Sequence, residues 1–199
     1  ILREGIELLY KYSFITIVPL AFTMFSFSDV VINVFFGEDY VHSANAMKIL
    51  SIGMVFAAMG GIGSNFFSGI GKPEISSKMI YSAAIFNFIA NLISIPMLGI
   101  TGAAITTSLG YFIMMTISLT NMGKFIRISF PTKIWAKNLI AGLIFIFIIW
   151  LLKGLLMFNA LLETAIILLI SGTVYIALLF LLKVISLDEL KDLYKRIVK

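Results

Sequence analysis

Cysteine is absent from the 199 residues, histidine occurs once, and charged side chains make up only 13%. Without cysteine there is no disulfide framework, no thiolate metal site and no cysteine nucleophile. His42 stands alone, without Cys, His or carboxylate partners at ligand spacing, which makes a metal site a poor reading. No Ser/His/Asp set, paired carboxylates or Walker-type phosphate loop occurs, so nothing reads as catalysis and no cofactor is called for. Apolar residues fill the space that charge leaves. They make up 60% of the chain, with a mean hydropathy of +1.06, against about 45–50% apolar and roughly 25% charged in soluble domains. This is the composition of an integral membrane protein. The opening "ILREGIELLYKYSF" lacks the basic, apolar and cleavable parts of a signal peptide. It reads as a piece of a longer protein, with 1–12 a cytoplasmic lead-in from a preceding lobe.

Apolar runs at 13–36, 47–70, 76–97, 100–122, 135–152 and 164–183 predict six membrane spans, A to F. Each is long enough for a helix, whereas barrel strands would alternate in segments of about ten residues. The expected fold class is therefore all-α, a polytopic membrane helix bundle. Of the Lys and Arg residues, those at 3, 11, 72, 78, 124, 127, 133, 137, 183, 191, 195, 196 and 199 fall on one side of this topology. Only Lys48 and Lys153 fall on the other. Positive charge gathers on the cytoplasmic side, which puts both ends in the cytoplasm and the protein in the cell membrane. The net charge of +5 is thereby accounted for without a nucleic-acid partner. Trp135 and Trp150 mark the two ends of span E. Ser186 to Glu189 reads as a capping box opening a cytoplasmic amphipathic tail helix over 184–199.

Three spans carry a small, polar stripe at helical spacing. On C it is Ser76, Ala83, Asn87, Ala90, Asn91 and Ser94, opposite the bulky Tyr81, Ile85, Phe88, Leu92 and Ile95. On B it is Gly53, Ala57, Gly60, Gly61, Ser64 and Ser68, with Asn65 at its margin, and on D Gly102, Thr106 and Gly110. Pro96 and "LGITG" leave room only for a tight turn, so C and D are expected to be antiparallel neighbours. E and F look bulky nearly all round. Two accounts compete for Asn65, Asn87, Asn91 and Thr106. They are hydrogen-bonding glue between helices, or together with Ser64 and Ser94 they line a wet cavity. The Asn87/Asn91 pair with Ser94 a turn further favours the cavity, since so many polar groups on one stripe exceed what one neighbouring helix can satisfy.

Ionisable groups inside a membrane are functional candidates. Asp29 fits the first turn of a short helix capped by Ser28, and it is also the one in-span candidate for a coupling acid. Glu163 and Lys153 sit at span ends and can snorkel. Pro19 is expected to bend span A.

The stretches "VVINVFFGEDYVHSANAMKILSIG", "GIGSNFFSGIGKPEISSKMIYSAAIF" and "NFIANLISIPMLGITGAAITTSLGYF" together resemble the C-terminal half of the polysaccharide flippases of the multidrug/oligosaccharidyl-lipid/polysaccharide superfamily. The order FG-x-x-Y, G-KP-E and N-x-x-x-N…IP-x-x-G-x-x-GAA-x-T carries the likeness, over roughly residues 10–125. The resemblance implies one six-helix lobe of a protein of twelve or more helices. Its partners would be the bilayer, the missing N-terminal lobe and a lipid-linked glycan. The implied activity is to move an oligosaccharide on a polyprenyl diphosphate to the outer leaflet by alternating access. Such a substrate asks for Lys or Arg at membrane depth, and none stands clearly there. Either the missing lobe supplies them, or Lys48 and the cytoplasmic cluster Lys72, Lys78 and Lys124 meet the substrate at the mouths. A drug or cation antiporter of the same superfamily, using Asp29, is the rival reading, followed by a membrane polysaccharide polymerase or a scaffold subunit.

Overall fold

The computed structural model describes residues 2–126, 131–153, 159–186 and 189. Every regular element among them is helical, as lipid requires when backbone groups have no water to bond. Two compact units result, Ile1–Pro131 and Thr132–Lys199. The first contains α1 (Leu2–Ser26), α2 (Ser28–Phe36), a 3-10 segment (Glu38–Ser43), α3 (Ala44–Gly69) and α4 (Pro73–Phe125). The second contains α5 (Thr132–Leu152) and α6 (Ala160–Leu181).

Within α4, Gly99 at φ 58°, ψ −137° breaks the helix and folds it into two arms, 73–98 and 100–125. Glycine takes this conformation without a Cβ penalty, and Pro96 has already removed an amide from the preceding turn. Spans C and D are therefore the two arms of a hairpin. Spans B to F match their helices to within about a turn.

Span A does not stand as expected. Helix α1 begins at Leu2 rather than near residue 13, runs on through Pro19, and breaks at Phe27 (φ −114°, ψ 22°). The polar opening conceals a helical face. Ile6, Tyr10, Phe14, Val18 and Ala21 are buried in one continuous stripe, and Arg3 Nε meets Glu7 Oε1 at 2.9 Å one turn on. The short helix beyond the break is present, with Asp29 in its first turn, but Ser28 does not cap it. Ser28 lies inside the helix, and its hydroxyl donates back to the Phe25 carbonyl at 3.4 Å.

The core of the first unit is the parallel contact of α3 with the second arm of α4. Gly53 faces Ser108, Gly60 faces Met115 and Gly63 faces Ser118, so the spacing on one helix repeats on the other. A Cβ at Gly53 would fall 2.9 Å from Ser108 Cβ, one at Gly60 3.2 Å from the Met115 amide, and one at Gly63 2.9 Å from Ser118 Cβ. The Ser108 hydroxyl crosses this gap to the Ile49 carbonyl at 3.2 Å. Phe56 on Phe112 (centroids 5.2 Å) packs edge to face between the first two rungs, and Phe67 on Phe125 (5.9 Å) does so beyond the last. Helix α3 then stops in a Schellman turn. Gly71 adopts φ 73°, the Lys72 amide donates to Phe67 O at 2.8 Å, and Pro73 opens α4 at a position where no amide is needed.

The second unit corrects the reading of E and F as bulky all round. Asn138, Ala141, Gly142, Phe145 and Ile149 form a buried stripe on α5, and Ile167, Ser171, Tyr175 and Leu179 form one on α6. The Tyr175 hydroxyl donates to Asn138 Oδ1 at 2.7 Å, with Asn138 fully enclosed. Lys137 Nζ caps the far end of α6 by donating to Leu182 O at 2.9 Å, and Asn159 Oδ1 accepts from the Leu162 amide at the near end. The expected capping box begins as read, the Glu189 amide donating to Ser186 Oγ at 3.2 Å. Residues 184–186 are not helical, and the remainder of the tail helix expected over 184–199 lies, apart from Glu189, outside the described residues, as does Arg127.

Two glycines two residues apart, on nearly opposite faces of α3, separate packing from composition. Gly63→Leu is expected to cost about 1–3 kcal/mol by forcing α3 off α4. Gly61→Leu is expected to be near neutral, since no atom lies within 4 Å of a Cβ there. Reversible unfolding in mixed detergent micelles measures both, and equal effects would show that the helices do not approach through Gly63.

Candidate functional site

The antiparallel arms of α4 carry the polar stripe. Gly102 lets them touch, because a Cβ there would lie 2.7 Å from the Ser94 carbonyl carbon. Further down, Asn91 Nδ2 donates to Asn87 Oδ1 at 2.8 Å, and Asn87 Nδ2 reaches Thr107 Oγ1 at 3.1 Å and Thr106 Oγ1 at 3.5 Å. The Thr106 hydroxyl returns to Asn91 Oδ1. Two asparagines and two threonines thus form a ring across the hairpin, which Thr107 joins without having been picked out in the sequence. One neighbouring helix is enough to supply these partners, because threonines stand one after the other opposite an i, i+4 asparagine pair. Ser94 turns back onto its own helix, donating to the Ala90 carbonyl.

Ring closure leaves Asn91 with a donor to spare. Asn91 spends one of its two amide hydrogens on Asn87, and its side chain borders an open recess of about 480 Å³ with Ala84, Asn87, Phe88, Leu92 and Ile95. A second recess of about 270 Å³ runs between the arms past Ala83, Asn87, Thr107, Gly110 and Tyr111. Asn87 borders both. At about 1.5 Å of rise per residue it stands about 13 Å from Lys78 and about 18 Å from Gly99, near the middle of a hydrocarbon core about 30 Å thick.

Ser64 and Asn65 lie apart from this ring, toward the other end of α3. The Ser64 carbonyl accepts from Ser68 at 3.0 Å and from Ser76 at 2.7 Å, which ties α3 to the start of α4. Asn65 is exposed. Lys72, Lys78 and Lys124 are exposed as well, and Lys72 and Lys124 mark the same end of the unit, where Phe67 meets Phe125. Lys72 pairs with Glu74 at 3.8 Å, and Lys124 Nζ donates to Asn121 Oδ1 at 3.0 Å. Asp29 is half-buried in α2, which packs on α1, α3 and the 3-10 segment.

One cation missed by the sequence reading sits deeper. Lys11 is only 8% exposed on α1, with its ammonium 5.4 Å from the Tyr12 ring centroid. Neighbouring Tyr10 is fully enclosed and meets Ser118, so Lys11 lies near that level, about 10 Å inside the end marked by Phe125. Its spacing to Phe14, Ile15 and Val18 on the buried face was the available signal.

The helices and their polar ring define a multi-pass, all-helical membrane protein. No protein-family model matches the chain. It is 37% identical over 198 residues to the uncharacterized membrane protein MJ1068 of Methanocaldococcus jannaschii, a match covering 100% of this chain and 39% of that protein. It is 22% identical over 183 residues to the "Probable low-salt glycan biosynthesis flippase Agl15" of Haloferax volcanii, covering 92% of this chain and again 39% of the relative. Among solved structures, the lipid II flippase MurJ in an inward closed conformation superposes with a TM-score of 0.78 at 20% identity, over 88% of this chain and 38% of that one. The fold is thus shared with part of MurJ, and the chain spans about two fifths of the length of the curated relatives it matches.

If the ring acts as a unit, its members must be energetically coupled. Asn91→Leu strands Asn87 Oδ1 and leaves the Thr106 hydroxyl only the Ala103 carbonyl of its own helix to donate to, and Asn87→Leu takes the ring partner from Thr107 and from the Asn91 amide. Each is expected to cost about 1–2 kcal/mol. The double substitution is expected to cost less than the sum by about 1 kcal/mol. Strictly additive unfolding energies would mean that the ring does not hold the hairpin.

Proposed function

We propose that this chain is part of a flippase that carries a polyprenyl-diphosphate-linked oligosaccharide from the inner to the outer leaflet by alternating access. The observation that carries the reading is the amide of Asn91, with a hydrogen to spare, beside Asn87 at mid-membrane depth on the wall of an open recess. A glycan headgroup loses its hydration in hydrocarbon and needs replacement hydrogen bonds along its path. An amide and hydroxyl ladder offers them without the cost of a fixed charge. The flippase named among the relatives and the fold shared with MurJ support the same class of work.

In this reading the end bearing Lys72, Lys78 and Lys124 faces the cytoplasm, consistent with the lopsided distribution of Lys and Arg. Exposed lysines there attract an anionic diphosphate, and the remaining lobe of the polypeptide faces the polar wall. The lipid tail stays in the bilayer while the two lobes rock around the headgroup.

The test is exchange of a fluorescent polyprenyl-diphosphate oligosaccharide in liposomes holding the full-length protein, read as the fraction an impermeant quencher reaches. Protein-dependent exchange is expected, and no exchange above protein-free vesicles would end the proposal. Replacing Lys72, Lys78 and Lys124 by alanine together is expected to slow the initial rate about threefold or more at low salt. The difference should fade at high salt, as charge steering is screened.

A further inference from the structure

The stretch between α1 and α3 is long, apolar and set at one level of the membrane. Tyr10 on α1 meets Ser118, which also abuts Gly63 on α3, and this three-way contact fixes the relative height of the two helices. From it, Tyr10 to Phe27 on α1 and Gly63 back to Ala46 on α3 each span about 25 Å. The break at Phe27 is therefore level with the start of α3. Helix α2 and the 3-10 segment leave and return at the same height, at the end of the unit opposite Lys72 and Lys124. Already about 37 Å long, α1 suffices to cross the hydrocarbon by itself.

Helix α2 buries Ser28 and Ile32 against the unit and turns Phe35 (75% exposed) and Phe36 (63%) outward. Tyr40 (58% exposed) extends this patch, its ring centroid 6.4 Å from that of Phe36. No Lys or Arg occurs between Lys11 and Lys48, while Glu38 and Asp39 are exposed beside the aromatics. We propose that α2 and the 3-10 segment lie along the membrane surface as an anchor, with Phe35, Phe36 and Tyr40 seated among the headgroups of electrically neutral lipid. Aromatic rings favour that zone. The absence of cations removes any attraction to anionic lipid, and the two carboxylates mark the aqueous edge.

The experiment replaces Trp135, Trp150 and every tryptophan elsewhere in the full-length protein by phenylalanine, then introduces Phe35→Trp, Phe36→Trp or Tyr40→Trp singly. Each variant is reconstituted in phosphatidylcholine brominated either near the headgroup or near the chain ends. Bromine near the headgroup is expected to quench about twofold more than bromine at the bilayer centre. Stronger quenching from the centre would make α2 an extension of the span and overturn the proposal. Indifference to either bromine would mean that water or protein covers the patch, and would overturn it equally. The three positions give independent readings, so a variant that fails to fold does not decide the outcome.

Discussion

The close approach of α3 to the second arm of α4 is the constraint on which the first unit depends. In a bilayer, lipid tails are as apolar as leucine, so burial gives little reason for one helix to prefer another. What remains is dispersion between atoms that reach contact distance, and this falls away steeply with separation. Gly53, Gly60 and Gly63 remove the side chains that would hold the helices apart, while Ser108, Met115 and Ser118 present matching heights on the opposite helix. Parallel helices repeat in register, which lets a three-rung ladder form. Two arms of one hairpin cannot both run parallel to α3. The first arm is instead held to the second by Gly102 at the top and by the asparagine and threonine ring below.

Much of this was legible in the sequence, for reasons specific to membranes. Hydropathy marks the spans because lipid imposes a length, and Pro96 with Gly99 marked the turn between the arms because few other residues permit one there. The glycine ladder was only half legible. Gly53 and Gly60 fell on the stripe drawn at helical spacing, but Gly63, which presses hardest on α4, did not. The partner helix decides which part of a face is used, and periodicity alone does not specify the partner. The two limits of span A differed in how legible they were. Arg3, Glu4 and Glu7 masked a helical beginning by their polarity, whereas Ser28 and Asp29 marked a short second helix one residue beyond the break at Phe27. The Asn138 to Tyr175 bond was overlooked because one asparagine in a leucine- and isoleucine-rich run shifts no average, yet it lies fully enclosed.

The polar groups of the first unit also sort by depth. Exposed lysines stand at one end, Lys11 is enclosed about 10 Å inside it, and the neutral ring lies near mid-membrane. That order follows the cost of placing each kind of group in a medium of low dielectric, where charge is far dearer than an amide. It also bears on the cation that a diphosphate asks for at membrane depth. On this chain the enclosed ammonium nearest that description is Lys11, already packed against Tyr12, and the middle of the hairpin offers hydrogen bonds without charge.

A ring that is satisfied internally is often taken as a sign that its residues only hold helices together. The geometry of Asn91 argues that holding and receiving are compatible. A ring held by a single donor has nothing left for a ligand, whereas a primary amide brings two hydrogens and the hairpin uses one. The amide is fixed in place by the hydrogen bond it makes to Asn87, and Asn91 lines the recess. Under the proposed function, a hydroxyl arriving in the recess would meet a donor already ordered by folding, so that a neutral site could exchange partners with a hydrated headgroup at small net cost. Weak binding of this kind suits a path better than a trap, since a group that must leave on the far side cannot be held tightly at the midpoint.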